Sequence, residues 1–162
     1  MGFKTLLKFL YRVHLFFQRK LSHLKLKTLI KDLGKDTTGH WSVEIKYGEN
    51  ISVGNNTTIG PYSTLGAMSQ IKIGNYVRIS KGVIIETAGL NLNGAPPYKH
   101  IAKPIIIEDG VWIATNAIIL GGVTIGKNSI IGAGTVITKN IEPNSIIVGQ
   151  SLKKLEKKTH NK

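Results

Sequence analysis

The chain has no cysteine among its 162 residues, which excludes disulfides, a zinc–thiolate site and a cysteine nucleophile, and fits a reducing compartment. Acidic residues are scarce: nine Asp and Glu stand against 22 Lys and Arg, for a formal charge of +13. Long apolar runs are missing too. Lys or Arg interrupts every apolar stretch near the N terminus, so the pattern predicts no transmembrane helix. No uninterrupted apolar h-region precedes an A-x-A-like site, so it predicts no cleavable signal.

The surplus of positive charge is confined to the two ends. Residues 1–31 hold eight basic side chains (Lys4, Lys8, Arg12, Arg19, Lys20, Lys25, Lys27, Lys31) and no acid, and residues 152–162 hold five lysines with Glu156. Residues 32–151 carry nine basic and eight acidic side chains, so the body is nearly neutral. Phosphate-backbone binding needs cations clustered on the binding face, and a neutral body argues against a nucleic-acid partner.

In the basic N-terminal segment Leu6, Phe9, Leu10, Val13, Phe17, Leu21 and Leu24 recur at spacings of three and four, the signature of an amphipathic helix over 1–33. Two roles are open to it. It can cap the first coil of the body, which would otherwise expose strand edges, or residues 3–31 can lie peripherally on an anionic membrane face. The expected location is cytoplasmic, on the inner face of the membrane in the second case. The lysine tail at 152–162 reads as a solvated end.

What the body has in abundance is isoleucine on a period of six: Ile107, Ile113, Ile119, Ile125, Ile131 and Ile137. Four residues after each comes a small or β-branched side chain (Val111, Ala117, Val123, Ser129, Thr135). Six matches no amphipathic helix. It suits a solenoid in which each hexad is one short flat strand and a bend, and three hexads close one triangular coil. The register extends upstream through Val53, Ile59 and Leu65, slips by two, and resumes at Ile73, Ile79 and Ile85. The expectation is one all-β domain over 41–151, a triangular stacked-coil solenoid of about five coils carrying the N-terminal helix.

Ile85 and Ile107 are 22 residues apart, which is no multiple of six, and the stretch between holds several Gly, Asn and Pro residues and His100. An excursion loop is predicted at 87–104, and loops on rigid scaffolds are where chemistry collects.

The string KPIIIEDGVWIATNAIILGGVTIGKNSIIGAGTVITKNIEPNSIIVGQ, Lys103 to Gln150, closely resembles the C-terminal coils of hexapeptide-repeat O-acetyltransferases of the maltose, galactoside and colanic-acid type. The resemblance extends more loosely over Tyr47–Lys154 and leaves out the N-terminal helix. It implies a left-handed parallel β-helix that forms a homotrimer and moves an acetyl group from acetyl-CoA to a sugar hydroxyl in clefts between subunits, with no metal required. It also implies that Trp112 is the tryptophan of the V-W-I-G motif, and that Thr115, Ala133, Thr138 and Lys139 line the coenzyme A groove. Lys153 or Lys154 would meet the coenzyme phosphates.

Three departures stand out. Where the family carries a histidine before the loop, this chain has Thr87, Ala88, Gly89, Leu90 and Asn91; Ala114 replaces the motif glycine; and the G-N-P-A-K ending has become Gly149, Gln150, Ser151, Leu152, Lys153. A sugar hydroxyl nonetheless needs a base. His14 and His23 fall in the helix, His160 in the tail and His40 ahead of the expected coils, so His100 is the candidate general base, a solvent-facing loop histidine the alternative, and His40 the next candidate. Three histidines converging on a zinc ion, as a carbonic anhydrase of this fold would need, are not available from one loop histidine. A nucleotide-sugar N-acetyltransferase would need a further domain for which no chain remains.

The sequence therefore points to O-acetylation of a cell-surface polysaccharide or its lipid-linked precursor. A soluble small-sugar or xenobiotic acetyltransferase and a noncatalytic β-helix are the alternatives.

Overall fold

The computed structural model describes residues 2–149. Its body is a β-solenoid of three parallel sheets, five, six and five strands deep, so that six coils stack on one axis. Face one holds Asp32–Leu33, Ile51–Val53, Ile71–Ile73, Ile105–Ile107 and Thr124–Ile125. Face two holds Thr38–Gly39, Thr58–Ile59, Arg78–Ile79, Trp112–Ile113, Ile130–Ile131 and Ile146–Ile147. Face three holds Glu44–Lys46, Thr64–Gly66, Ile84–Glu86, Ile118–Leu120 and Val136–Ile137. The first, second and third corners follow faces one, two and three.

Strands of two or three residues suffice because nearly every one places at least one aliphatic side chain in the prism, directly over its equivalent in the next coil. Val53, Ile73, Ile107 and Ile125 form one column by strand pairing, Ile59, Ile79, Ile113 and Ile131 a second, and Leu65, Ile85, Ile119 and Ile137 a third. All twelve are buried. The third residue after the inward one turns the corner with positive φ. Gly82, Gly110 and Gly134 do so at no steric cost, and Asn56, Asn116 and Asn128 at little. Tyr62 and Tyr76 occupy the same position with φ of 58° and 57°, a conformation uncommon for a bulky residue.

Polar ladders close the first corner. Asn55 Oδ1 accepts the Lys35 amide at 2.7 Å, Asn75 Oδ1 accepts the Asn55 amide at 2.8 Å, and Asp109 Oδ1 accepts the Asn75 amide at 2.8 Å. Inside that corner the buried Thr57 hydroxyl donates to the Gly74 carbonyl at 2.9 Å and accepts the Val77 amide at 3.1 Å. Buried backbone groups are thus satisfied coil by coil.

The coils begin at Asp32, ahead of residue 41, and number six where about five were expected. The first was hidden because its inward residue on face two is Gly39. The helix Phe3–Leu29 crosses above it, and a Cβ on Gly39 would lie 2.8 Å from Leu26 Cδ1. Leu26, 1% exposed, fills the place an isoleucine would take. Lys25 pins the helix by donating to the carbonyls of Trp41 at 2.9 Å and Val43 at 2.7 Å.

The last third of the helix is therefore a cap, while the rest overhangs. Phe3, Phe9, Phe16 and Phe17 are each more than half exposed, and no helix among the described residues is long and apolar enough to cross a membrane.

The columns make a sharp expectation. Ile119→Asp places a carboxylate where nothing can solvate or pair it, so the variant should lose its cooperative thermal transition; Ile119→Ala should fold with about 2–5 kcal/mol less stability. A soluble aspartate variant melting like the parent would show that Ile119 does not point inward.

Candidate active site

The third corner carries two extra residues in the first two coils, since Ile45 to Val53 and Leu65 to Ile73 are eight apart. In the third coil that enlargement becomes an arm. Ala88–Leu90 and His100–Ala102 pair antiparallel, with Ala88 opposite Ala102, Gly89 opposite Ile101 and Leu90 opposite His100. The Asn91 amide donates to the Lys99 carbonyl at 2.9 Å beyond them.

The root of the arm is held from both sides. Thr87, buried, donates its hydroxyl to the Gly66 carbonyl at 2.9 Å and accepts the Ser69 amide at 3.0 Å. From the other side Gly121 approaches so closely that a Cβ there would lie 2.5 Å from the Thr87 carbonyl oxygen. A cleft of about 210 Å³ opens at this root, lined by Thr87, Gly89, Ile101, Lys103, Leu120 and Gly121.

His100 is exposed, and its ring has no hydrogen-bond partner among the described residues. Residues directly opposite in an antiparallel pair project from the same face of the ribbon, with Cβ atoms about 4.5–5.5 Å apart. His100 therefore stands beside Leu90, presenting from the returning strand an imidazole that the outgoing strand lacks.

Trp112 lies outward on face two of the fourth coil, 48% exposed, and its indole Nε1 donates to Ser80 Oγ at 3.2 Å, which draws the ring toward the second corner. Thr115 and Ala133 occupy that corner in successive coils, and the Gly134 amide donates to the Thr115 carbonyl at 2.9 Å. With Ala114, Gly132 and Gly134 they form a run of small residues beside Trp112, and a Cβ on Gly134 would meet nothing within 4 Å. Thr138 and Lys139 are exposed on the third corner, the corner that bears the arm. Lys153 and Lys154 lie outside the described residues. His40 sits on the second corner of the first coil, away from the arm.

The site residues thus form two groups. Trp112, at the edge of face two, adjoins Thr115 and Ala133 on the second corner; His100, Thr138 and Lys139 share the third; the strands of face three separate the two groups. The Trp112–Ser80 contact was not legible in the sequence, because it joins neighbouring coils across the inserted arm. Among the described residues no group of three His, Asp or Glu is placed to hold a metal ion.

The family described as bacterial transferase hexapeptide (six repeats) matches residues 104–139. No curated protein sequence matches the chain. Among solved structures, a hexapeptide-repeat-containing acetyltransferase from Vibrio cholerae complexed with acetyl coenzyme A is 28% identical over 83% of this chain and 76% of that one, with a TM-score of 0.74. A maltose O-acetyltransferase from Clostridium difficile 630 is 34% identical over 82% of this chain and 73% of that one, TM-score 0.72. A galactoside acetyltransferase in complex with coenzyme A is 30% identical over 75% of this chain and 62% of that one, TM-score 0.65.

The close approach at Gly121 predicts that Gly121→Ala pushes the arm off its root. Overpacking of this kind costs about 1–3 kcal/mol, and the expected result is a lower melting temperature with faster amide exchange at Thr87 and Lys103. Unchanged exchange at both amides would mean that the arm is held elsewhere.

Proposed function

The chain belongs to the hexapeptide-repeat acetyltransferases, and we propose that, with acetyl-CoA as donor, it O-acetylates a sugar of a cell-surface polysaccharide or of its lipid-linked precursor. The observation that carries the catalytic reading is the pairing of His100 with Leu90 on the arm.

Acetyl-CoA supplies an activated thioester. The run of small residues Ala114, Thr115, Gly132 and Ala133 beside Trp112 suits an extended, narrow chain such as the coenzyme's pantetheine arm. Thr138 and Lys139, exposed on the arm's corner, are the proposed partners for its polar end. A sugar hydroxyl is a poor nucleophile until it sheds its proton. His100, whose ring nitrogens are not engaged within the described chain, takes that proton as the oxygen attacks, in the role of general base. The sulfur that leaves carries the proton away.

Since the two groups of residues lie on different corners, a cleft that unites them needs two copies of the chain. A closed ring of three sets the third corner of each subunit against the second corner of the next and repeats the same cleft at every interface. The overhanging helix supports the choice of acceptor. Its seven cations, absence of acids and exposed phenylalanines suit an anionic bilayer surface, which would place the enzyme on the inner face of the cytoplasmic membrane.

Two experiments test this reading. His100→Ala should lower acetyl transfer roughly 10²- to 10⁴-fold while coenzyme A affinity holds. Adding Leu90→His to that variant should recover part of the rate, because the imidazole returns to the same face of the arm. Mixed trimers of His100→Ala and Trp112→Ala chains should regain activity that neither has alone. Full transfer by His100→Ala removes it from the mechanism.

For the helix, the full chain should sediment with phosphatidylglycerol vesicles and stay in solution with phosphatidylcholine. No sedimentation with either leaves the helix as a cap alone.

A further inference from the structure

A continuous line of contacts runs along the second corner from the fourth coil to the first. Trp112 Nε1 meets Ser80 Oγ at 3.2 Å. The next residue, Lys81, places its ammonium 5.6 Å from the centre of the Tyr62 ring, a cation–π distance. The Tyr62 ring lies 6.2 Å from that of His40, and His40 lies 5.6 Å from the indole of Trp41. Trp41 and Tyr62 are 46% and 63% exposed, so neither is placed there to fill the core.

Tyr62 is the most informative member. It holds the left-handed corner position that Gly82 and Asn116 take in later coils, as Tyr76 does on the first corner; what sets it apart is its ring, which faces both Lys81 and His40.

His40 is oriented as well. Its Nδ1 accepts the Ser42 amide at 3.2 Å and lies 2.7 Å from the Ser42 hydroxyl. In the neutral ring the proton is then on Nε2, which remains available as a donor. His40 also borders a groove of about 480 Å³ between the helix and the first two coils, where Arg19 and His23 form the helix wall.

The charge along this edge has one sign. Arg78, directly below Trp112 in the ladder, donates to Thr58 Oγ1 at 2.6 Å, and Lys81 and Arg19 add two more cations. The outward positions of face two and the second corner carry no acid. Glu44, at the start of face three in the first coil, is engaged by Lys46 at 3.2 Å, whose hydrogen bond and charge lower its carboxyl below the usual range.

We infer that this edge is the acceptor track. A uronate-bearing glycan lies along it from Trp112 to Trp41, its sugar rings against the exposed aromatic faces and its carboxylates against Arg78, Lys81 and Arg19. Three strand spacings separate the fourth coil from the first, about 14 Å, so the track spans several sugar units and not one. It ends beneath the helix, where Lys25 clamps the corner carbonyls. A lipid-linked chain held by its membrane end would meet the track there before reaching the reacting corner. The inference rests on the acetyltransferase reading for the choice of a glycan, but its binding test stands apart from catalysis.

The probes are an oligogalacturonate long enough to span three coils, maltohexaose as a neutral counterpart, and coenzyme A, each titrated calorimetrically against the full chain. The oligogalacturonate should bind, weaken with added salt, and exceed maltohexaose in affinity by roughly tenfold. Trp41→Ala and Tyr62→Asn, the latter suited to positive φ, should each weaken the oligogalacturonate by roughly tenfold without lowering the melting temperature or changing coenzyme A affinity. Tyr76→Asn, at the same position on the first corner, should leave uronate binding as it was. Parental affinity in both Trp41→Ala and Tyr62→Asn overturns the track, as does a single-stranded oligodeoxynucleotide binding more tightly than the uronate. Failure of the full chain to bind coenzyme A would instead overturn the acetyltransferase reading, whatever the uronate does.

Discussion

Everything in this molecule depends on inward side chains stacking directly over their counterparts in the next coil. Strands of two or three residues have no stability of their own. They persist because parallel pairing holds Ile113 between Ile79 and Ile131, and Ile119 between Ile85 and Ile137, in a dry column whose spacing is that of the sheet itself. With inward positions fixed, corner positions are fixed as well. Equivalent corner residues of different coils then form straight rows along the prism, and chemistry spread over the sequence lines up in space. Trp41, Pro61, Lys81, Thr115 and Ala133 form one such row on the second corner.

The same constraint decides what could be read beforehand. Columns of isoleucine at a period of six announced the coils from Val53 onward, and the irregular interval between Ile85 and Ile107 announced the arm. The first coil escaped notice because Gly39 stands in its column and the missing aliphatic group comes from Leu26, thirteen residues earlier and on a helix. Periodicity along the chain cannot register a side chain lent by another element. The pairing of Leu90 with His100 was hidden for a related reason. An arm whose strands are joined by Asn91–Lys99 has no short turn of recognisable type to fix its register, so the sequence placed His100 in the loop without saying which residue it faces.

The helix and solenoid divide the electrostatics between them. A body with nearly balanced charge tolerates close stacking of coils without self-repulsion, while the cations are gathered where they have work outside the core. Lys25 shows how one of them is recruited inward, its ammonium donating to two carbonyls of the first coil. Further toward the N terminus the helix loses contact with the coils and keeps only its amphipathic pattern. One continuous element thus changes role from lid to projection within a few turns.

The solenoid also acts as a spacer of adjustable length. The helix sits over the first coil and Trp112 lies in the fourth, so the stand-off between them is a whole number of strand spacings, about 4.8 Å each. Duplicating or deleting one complete coil would change that stand-off by a single increment while leaving every column, ladder and corner in register. Reach in such a protein is quantised, and it can evolve by gain or loss of whole coils without any change at the reacting corner.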